Sequence, residues 1–247
     1  MFTQDALLLV GHGSTKLTGA VSPLEAHAEV IRTARRFAEV AVGAILGQPN
    51  LGAVFATLTA PVVHVLPCFM EDSYFTRIAI PDTLLPLVSG ARVINFCPHL
   101  GSHTSIASLI EARLLRYCEL FGTPPKSLSV LLVGHGSRQS PGRARALRRH
   151  AAMLERSDLF GWVRTAYLEE QPFVAEALAS ARGHVVAVVG YLANVGEHAV
   201  KDLPALIASE RERRGIHWPP VHDLGPIGTD ELMPRLILDL VTQNSAV

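Results

Sequence analysis

The chain has 247 residues, of which 22 are basic and 22 acidic, so its formal net charge is zero. That balance offers no global field to nucleic acid or an anionic membrane, and the length suits one large domain or two small ones. Cys68, Cys97 and Cys118 are widely spaced with no CxxC, which argues against a disulfide framework or an iron–sulfur site. The opening MFTQDALLLVGHGS carries no basic n-region, and its apolar run is too short for a signal or a membrane span. A cytoplasmic protein is expected.

In chain order, LLLVGHGS at 7–14 is an apolar run closed by glycines, the pattern of a buried parallel strand (near 6–11) opening into a tight loop. Glycines on both sides of His12 let the backbone turn sharply and leave the imidazole uncovered at the strand's C-terminal end. Parallel sheets bind their ligands at that end. The stretch PLEAHAEVIRTARRFAEV aligns Leu24, Ala28, Ile31, Ala34 and Ala38 as one helical stripe, with Arg32, Arg35, Arg36 and Glu39 outside it. Strands follow near 41–46, 62–67 and 92–96, with helices between them. In PHLGSH the Leu-Gly-Ser between His99 and His103 argues for a loop, with His103 near a helix N-cap. FGTPPKS at 121–127 is the expected boundary, its Pro pair stopping the preceding helix.

The opening stretch then returns as VLLVGHGS: residue 7 falls on residue 130, an offset of 123. Strands are expected near 128–133, 161–168, 184–190 and 219–223. The basic run RARALRRH reads as the solvated face of a helix. His27, His150, His184, His217 and His222 read as surface or strand-end residues without a shared pattern.

The offset holds without gaps over Gln48-Pro49 and Gln171-Pro172, Val62-Val63 and Val185-Val186, and Pro81 and Pro204. It widens to 127 where PHLGSHTSIASLI resembles GPIGTDELMPRLI. Each half is therefore one unit of alternating strands and helices, joined by crossovers into a parallel sheet. The fold class is α/β: two tandem Rossmann-like parallel-sheet domains, 1–122 and 123–247, with a cleft expected between them.

Differences between the copies carry information. His198 aligns with Phe75, and Glu169 with Leu46. The second half thus brings His135, Glu169 and His198 to the ends of three strands, while the first offers His12 alone. Two imidazoles and a carboxylate on one sheet edge can bind a borderline divalent ion or transfer protons. Glu170 sits beside Glu169, and only one of the two can point inward. His12 is a candidate for shaping the site or touching substrate. Arg138 and the basic residues after it could meet anionic carboxylates. Two rival classes keep an exposed strand-end histidine: a non-catalytic metal or ligand carrier, and a histidine phosphotransferase. The second wants an Arg beside the histidine, and Val10-Gly11 and Val133-Gly134 supply none.

The doubled VGHGS, the A-Y-L-E-x-Q-P strand end, the G-x-H-x-x-x-D-x-P segment and the LG-T/S-D/H return together resemble the CbiX-type sirohydrochlorin chelatases, over essentially the whole chain. That family belongs to the class II chelatases. The resemblance implies a sirohydrochlorin-type tetrapyrrole as substrate and a divalent metal as co-substrate, with no organic cofactor. Double-length members insert Co²⁺ for cobalamin, and close relatives insert Fe²⁺ for sirohaem or Ni²⁺. It maps the metal-handling pair onto His135 and His198, with Phe75 departing from the pattern in the first half. Glu169 is then a proton acceptor, and Ser14, Ser137, Arg138 and His12 are anchors for the substrate. A monomer is expected, since the chain already holds two copies of the unit.

Overall fold

The computed structural model describes residues 2–15, 21–139, 142, 144–181, 184–194, 201–215 and 218–245. Among these, each repeat forms a four-stranded parallel sheet. Strands β1 (Phe2–Ser14), β2 (Phe37–Gly47), β3 (Val62–Pro67) and β4 (Val93–Phe96) lie in the order β2-β1-β3-β4. Strands β5 (Leu128–Gly134), β6 (Trp162–Tyr167), β7 (Val185–Gly190) and β8 (Val221–Pro226) repeat it as β6-β5-β7-β8. The central strands explain their own sequences: β1 from Ala6 to Val10 and β5 from Val130 to Val133 are fully buried, because helices cover both faces.

In the first sheet Leu8, Val10, Val63 and Val65 pack on one face against Leu51 and Phe55 of α2 (Leu51–Thr57) and Ile80 and Leu84 of α3 (Ile80–Leu84). Helices α1 (Ser22–Thr33) and α8 (Met233–Asn244) pack together, α1 on β1 and α8 on β3. In the second sheet Leu131, Val133, Val186 and Val188 meet α6 (Val174–Ser180) and α7 (Leu203–Arg214). Helices α4 (Ser105–Phe121) and α5 (Arg145–Ser157) pair with each other. Packing therefore divides the chain elsewhere than at 122/123. The compact units are Met1–His103 with Thr229–Val247, and Thr104–Gly228, so each repeat's last helix completes the other repeat's unit.

Three local readings are corrected. Helix α1 stops at Thr33 because Arg35 turns the chain in the left-handed region (φ 50°), so Ala34 lies beyond the helix and Ala38 already belongs to β2. Helix α4 ends at Gly122 (φ 61°), with Thr123 N–H donating to Cys118 O at 3.0 Å, before the Pro pair is reached. His27 and His150 are not surface residues: both are buried on the sheet-facing sides of α1 and α5. Their numbers differ by 123, the repeat offset.

Both sheets also close alike at the last strand. Gly101 N–H donates to Phe69 O at 2.9 Å, and Gly228 N–H to Leu192 O at 3.0 Å. No helix among the described residues is long and apolar enough to cross a membrane.

Candidate active site

A sheet ordered 2-1-3-4 changes its winding direction between the first and third strands, and ligands bind beyond the strand ends at that switch point. His12 and His135 stand there, at the ends of β1 and β5, and both side chains are exposed. Small residues bring the backbone to that position. A Cβ on Gly134 would lie 2.8 Å from Leu147 Cδ2, and one on Gly11 3.3 Å from Leu24 Cδ2, so each turn lies tight against α5 or α1. Gly13 (φ 71°) and Gly136 (φ 74°) then supply the left-handed step that lifts the imidazole out.

The backbone also sets the tautomer. His135 Nδ1 lies 2.9 Å from Gly136 O and His12 Nδ1 3.0 Å from Gly13 O. A carbonyl oxygen only accepts, so in the neutral ring Nδ1 carries the proton and the lone pair is on Nε2, the form in which a histidine binds a metal.

The end of β6 runs alongside this turn. Leu168 N–H donates to Gly134 O at 3.1 Å and Glu169 N–H to His135 O at 2.9 Å. The Glu169 carboxylate lies 3.9 Å from Arg138 Nε, on a side chain that keeps a third of its surface exposed. Glu170 instead is buried and accepts the Gly142 N–H at 2.8 Å. Of the two carboxylates, Glu169 is the one on the open side. His135, Ser137, Arg138 and Glu169 thus gather at one strand-end cluster in the second unit. His198 lies outside the described residues. Among the described residues no group of three or more His, Cys, Asp or Glu side chains assembles as a metal site.

The same place in the first unit is aromatic. The Phe75 ring meets His12 edge-on at 4.7 Å, Phe69 follows at 6.3 Å, and Leu46 is exposed where the second unit has Glu169. Ser14 ends β1 opposite Gly47. Phe69 and the inward role of Glu170 were not read from sequence, and no repeat signal marks either. The thiols take no part: burial pushes the Cys97 thiol up to about 12 and the Cys68 thiol higher, so neither supplies thiolate near neutral pH.

The chain matches the CbiX family model over residues 6–117 and again over 129–244. A probable sirohydrochlorin cobaltochelatase of Halobacterium salinarum is 27% identical over 265 residues, covering 95% of this chain and 90% of that protein. A multi-domain Deinococcus radiodurans protein, described as structurally similar to chelatases with two additional domains, superposes with a TM-score of 0.84 at 26% identity. That match covers 97% of this chain and 55% of the other, so this chain spans about half that protein's length. The Bacillus subtilis chelatase SirB with Fe³⁺ gives a TM-score of 0.80 at 20% identity, covering 98% of this chain and 96% of SirB. SirB of the subspecies spizizenii, in complex with cobalt, gives 0.76 at 16% identity, covering 98% and 95%.

The fold is two parallel-sheet repeats, and the family model covers both of them. The chain belongs to the CbiX family.

Proposed function

We propose that this protein inserts Co²⁺ into sirohydrochlorin in cobalamin biosynthesis, and that the chemistry belongs to the second repeat. The observation that carries this reading is His135, its lone pair on Nε2, standing beside Glu169 at the ends of β5 and β6. In the first repeat the aligned partners of His12 are Phe75 and Leu46, which offer neither a ligand nor a base.

Insertion requires the metal to replace two pyrrole N–H protons. Imidazole is a borderline ligand that holds Co²⁺ without trapping it, and an unpaired carboxylate accepts a proton as the N–metal bonds form. We assign His135 and His198, the latter by its repeat alignment, to positioning the metal and taking up one pyrrole proton, and Glu169 to taking up the other. Arg138 has an exposed guanidinium that can exchange its long contact with Glu169 for a substrate carboxylate, which would leave Glu169 ready to accept a proton. Ser137, Ser14 and His12 supply further polar contacts to the tetrapyrrole's edge.

The Halobacterium relative favours cobalt. The ligand types themselves also suit Fe²⁺ and Ni²⁺. The test is a visible-absorbance assay with sirohydrochlorin and each of the three metals in parallel. Multiple turnovers fastest with Co²⁺ are expected. Faster insertion of Fe²⁺ overturns the metal assignment in favour of sirohaem synthesis, and conversion limited to one equivalent makes the protein a carrier. Two copies of the unit in one chain and three free thiols support a cytoplasmic monomer.

A further inference from the structure

Glu169 and Glu170 leave the end of β6 together, yet Glu170 is only 5% exposed. Its Oε2 accepts the Gly142 N–H at 2.8 Å, on the far side of the loop that follows His135. Its stem lies under the His135 turn as well: a Cβ on Gly136 would stand 2.8 Å from Glu170 Cγ and 2.9 Å from Tyr167 Cβ. Gly136 is also the residue whose carbonyl holds His135 Nδ1. One buried side chain therefore meets both the turn and Gly142. The first repeat has Gly47 at the aligned position, where the chain closes backbone on backbone, a Cβ there standing 2.2 Å from Ser14 O. This side-chain clasp is a feature of the second repeat, the one to which we assign the chemistry.

A buried carboxylate is costly unless it is bonded, so its retention beside a turn it supports calls for a purpose. We infer that Glu170 is a positioning residue: it ties Gly142 to the His135–Gly136 turn and so fixes where His135 Nε2 points. It touches neither metal nor tetrapyrrole itself. The inference rests on the reading of His135 as a metal-handling group. Partners that orient a ligand from behind typically change metal affinity or activity roughly 10–100-fold when lost.

Two variants separate reach from charge. Glu170→Asp keeps the charge but is one methylene too short for Gly142. Glu170→Gln keeps length and an acceptor oxygen but has no charge. Co²⁺ affinity by calorimetry, and kcat and KM for sirohydrochlorin, are measured for both, with thermal melts as the fold control. Positioning predicts that Glu170→Asp loses roughly 10–100-fold in Co²⁺ affinity or kcat, while Glu170→Gln restores most of it. The reverse order, or equal losses in two folded variants, overturns the inference, because the charge or mere bulk would then matter. Wild-type values in both also overturn it. His135→Ala measured alongside keeps the outcomes apart: if it too is active, the reading of the site has failed, and if it alone is dead, only the role of Glu170 has.

Discussion

His135 and His12 have the same neighbours in sequence and the same Nδ1 hydrogen bond, so what separates them is the company each keeps. His135→Ala is expected to lower turnover roughly 10²–10⁴-fold, the usual cost of losing a positioned acid–base group. His12→Ala is expected to cost far less, since Phe75 covers one side of its ring and Leu46 offers no base. Insertion rates of the two variants, with melts showing intact folds, check this. A dead His12→Ala beside an active His135→Ala would move the chemistry to the first repeat. A second residue-scale effect concerns His103. Burial lowers its pKa from the ordinary 6.5, with Asp239 pulling it partly back. The unfolded chain then binds this proton more readily than the folded protein. Stability is full above about 6.5 and falls as the pH drops below that value. The melting temperature should therefore fall between about pH 7.5 and about pH 5.5, and His103→Gln should shrink the fall. An unchanged fall in the variant would show that other groups carry it.

At the scale of elements, the loop after the last strand of each repeat docks through a glycine where no side chain fits. A Cβ on Gly101 would lie 1.8 Å from Met70 O, and one on Gly228 2.3 Å from Ala193 O. Gly101→Ala and Gly228→Ala should each destabilise by about 1–3 kcal/mol, the usual cost of forcing an atom into packed structure. Urea unfolding midpoints measure it, and a neutral result would show that the loops can move aside. Both glycines were visible in sequence as aligned residues, but their close approach was not, because nothing local encodes which carbonyl arrives there. Strand positions were more legible. A central parallel strand is mostly apolar on both faces, and β3 and β5 begin at Val62 and Leu128, the residues where the sequence places them. The end of α1 was not legible: Arg35 in a left-handed conformation breaks a helical stripe whose spacing Ala34 and Ala38 continue.

For the molecule as a whole, the exchange of last helices has a measurable consequence. The first repeat alone, 1–122, lacks α8, whose Met233, Ile237 and Val241 are fully buried in the first unit. The second alone, 123–247, lacks α4 with the fully buried Ile106, Ile110 and Leu114. Each such side chain contributes about 1.5–3 kcal/mol. Three of them approach the whole stability of a domain, about 5–15 kcal/mol. Neither half should melt cooperatively by itself, and mixing the halves should restore a transition. A half that folds alone, by circular dichroism and thermal melt, contradicts this.

The repeat and the strand ends that carry His12, His135 and Glu169 were legible in the sequence alone, since a shared offset and the two-sided burial of a parallel strand leave marks at fixed positions. The division of labour between the two carboxylates was not, because Glu169 and Glu170 are chemically identical and alternate faces by rule. The Gly142 N–H and the Gly136 turn decided it, by giving Glu170 a buried partner and leaving Glu169 on the open side near Arg138. The division of the chain into packed units was equally beyond sequence. Which sheet an amphipathic helix covers depends on where the chain carries it, and the apolar stripes of α4 and α8 do not by themselves name the sheet each one covers.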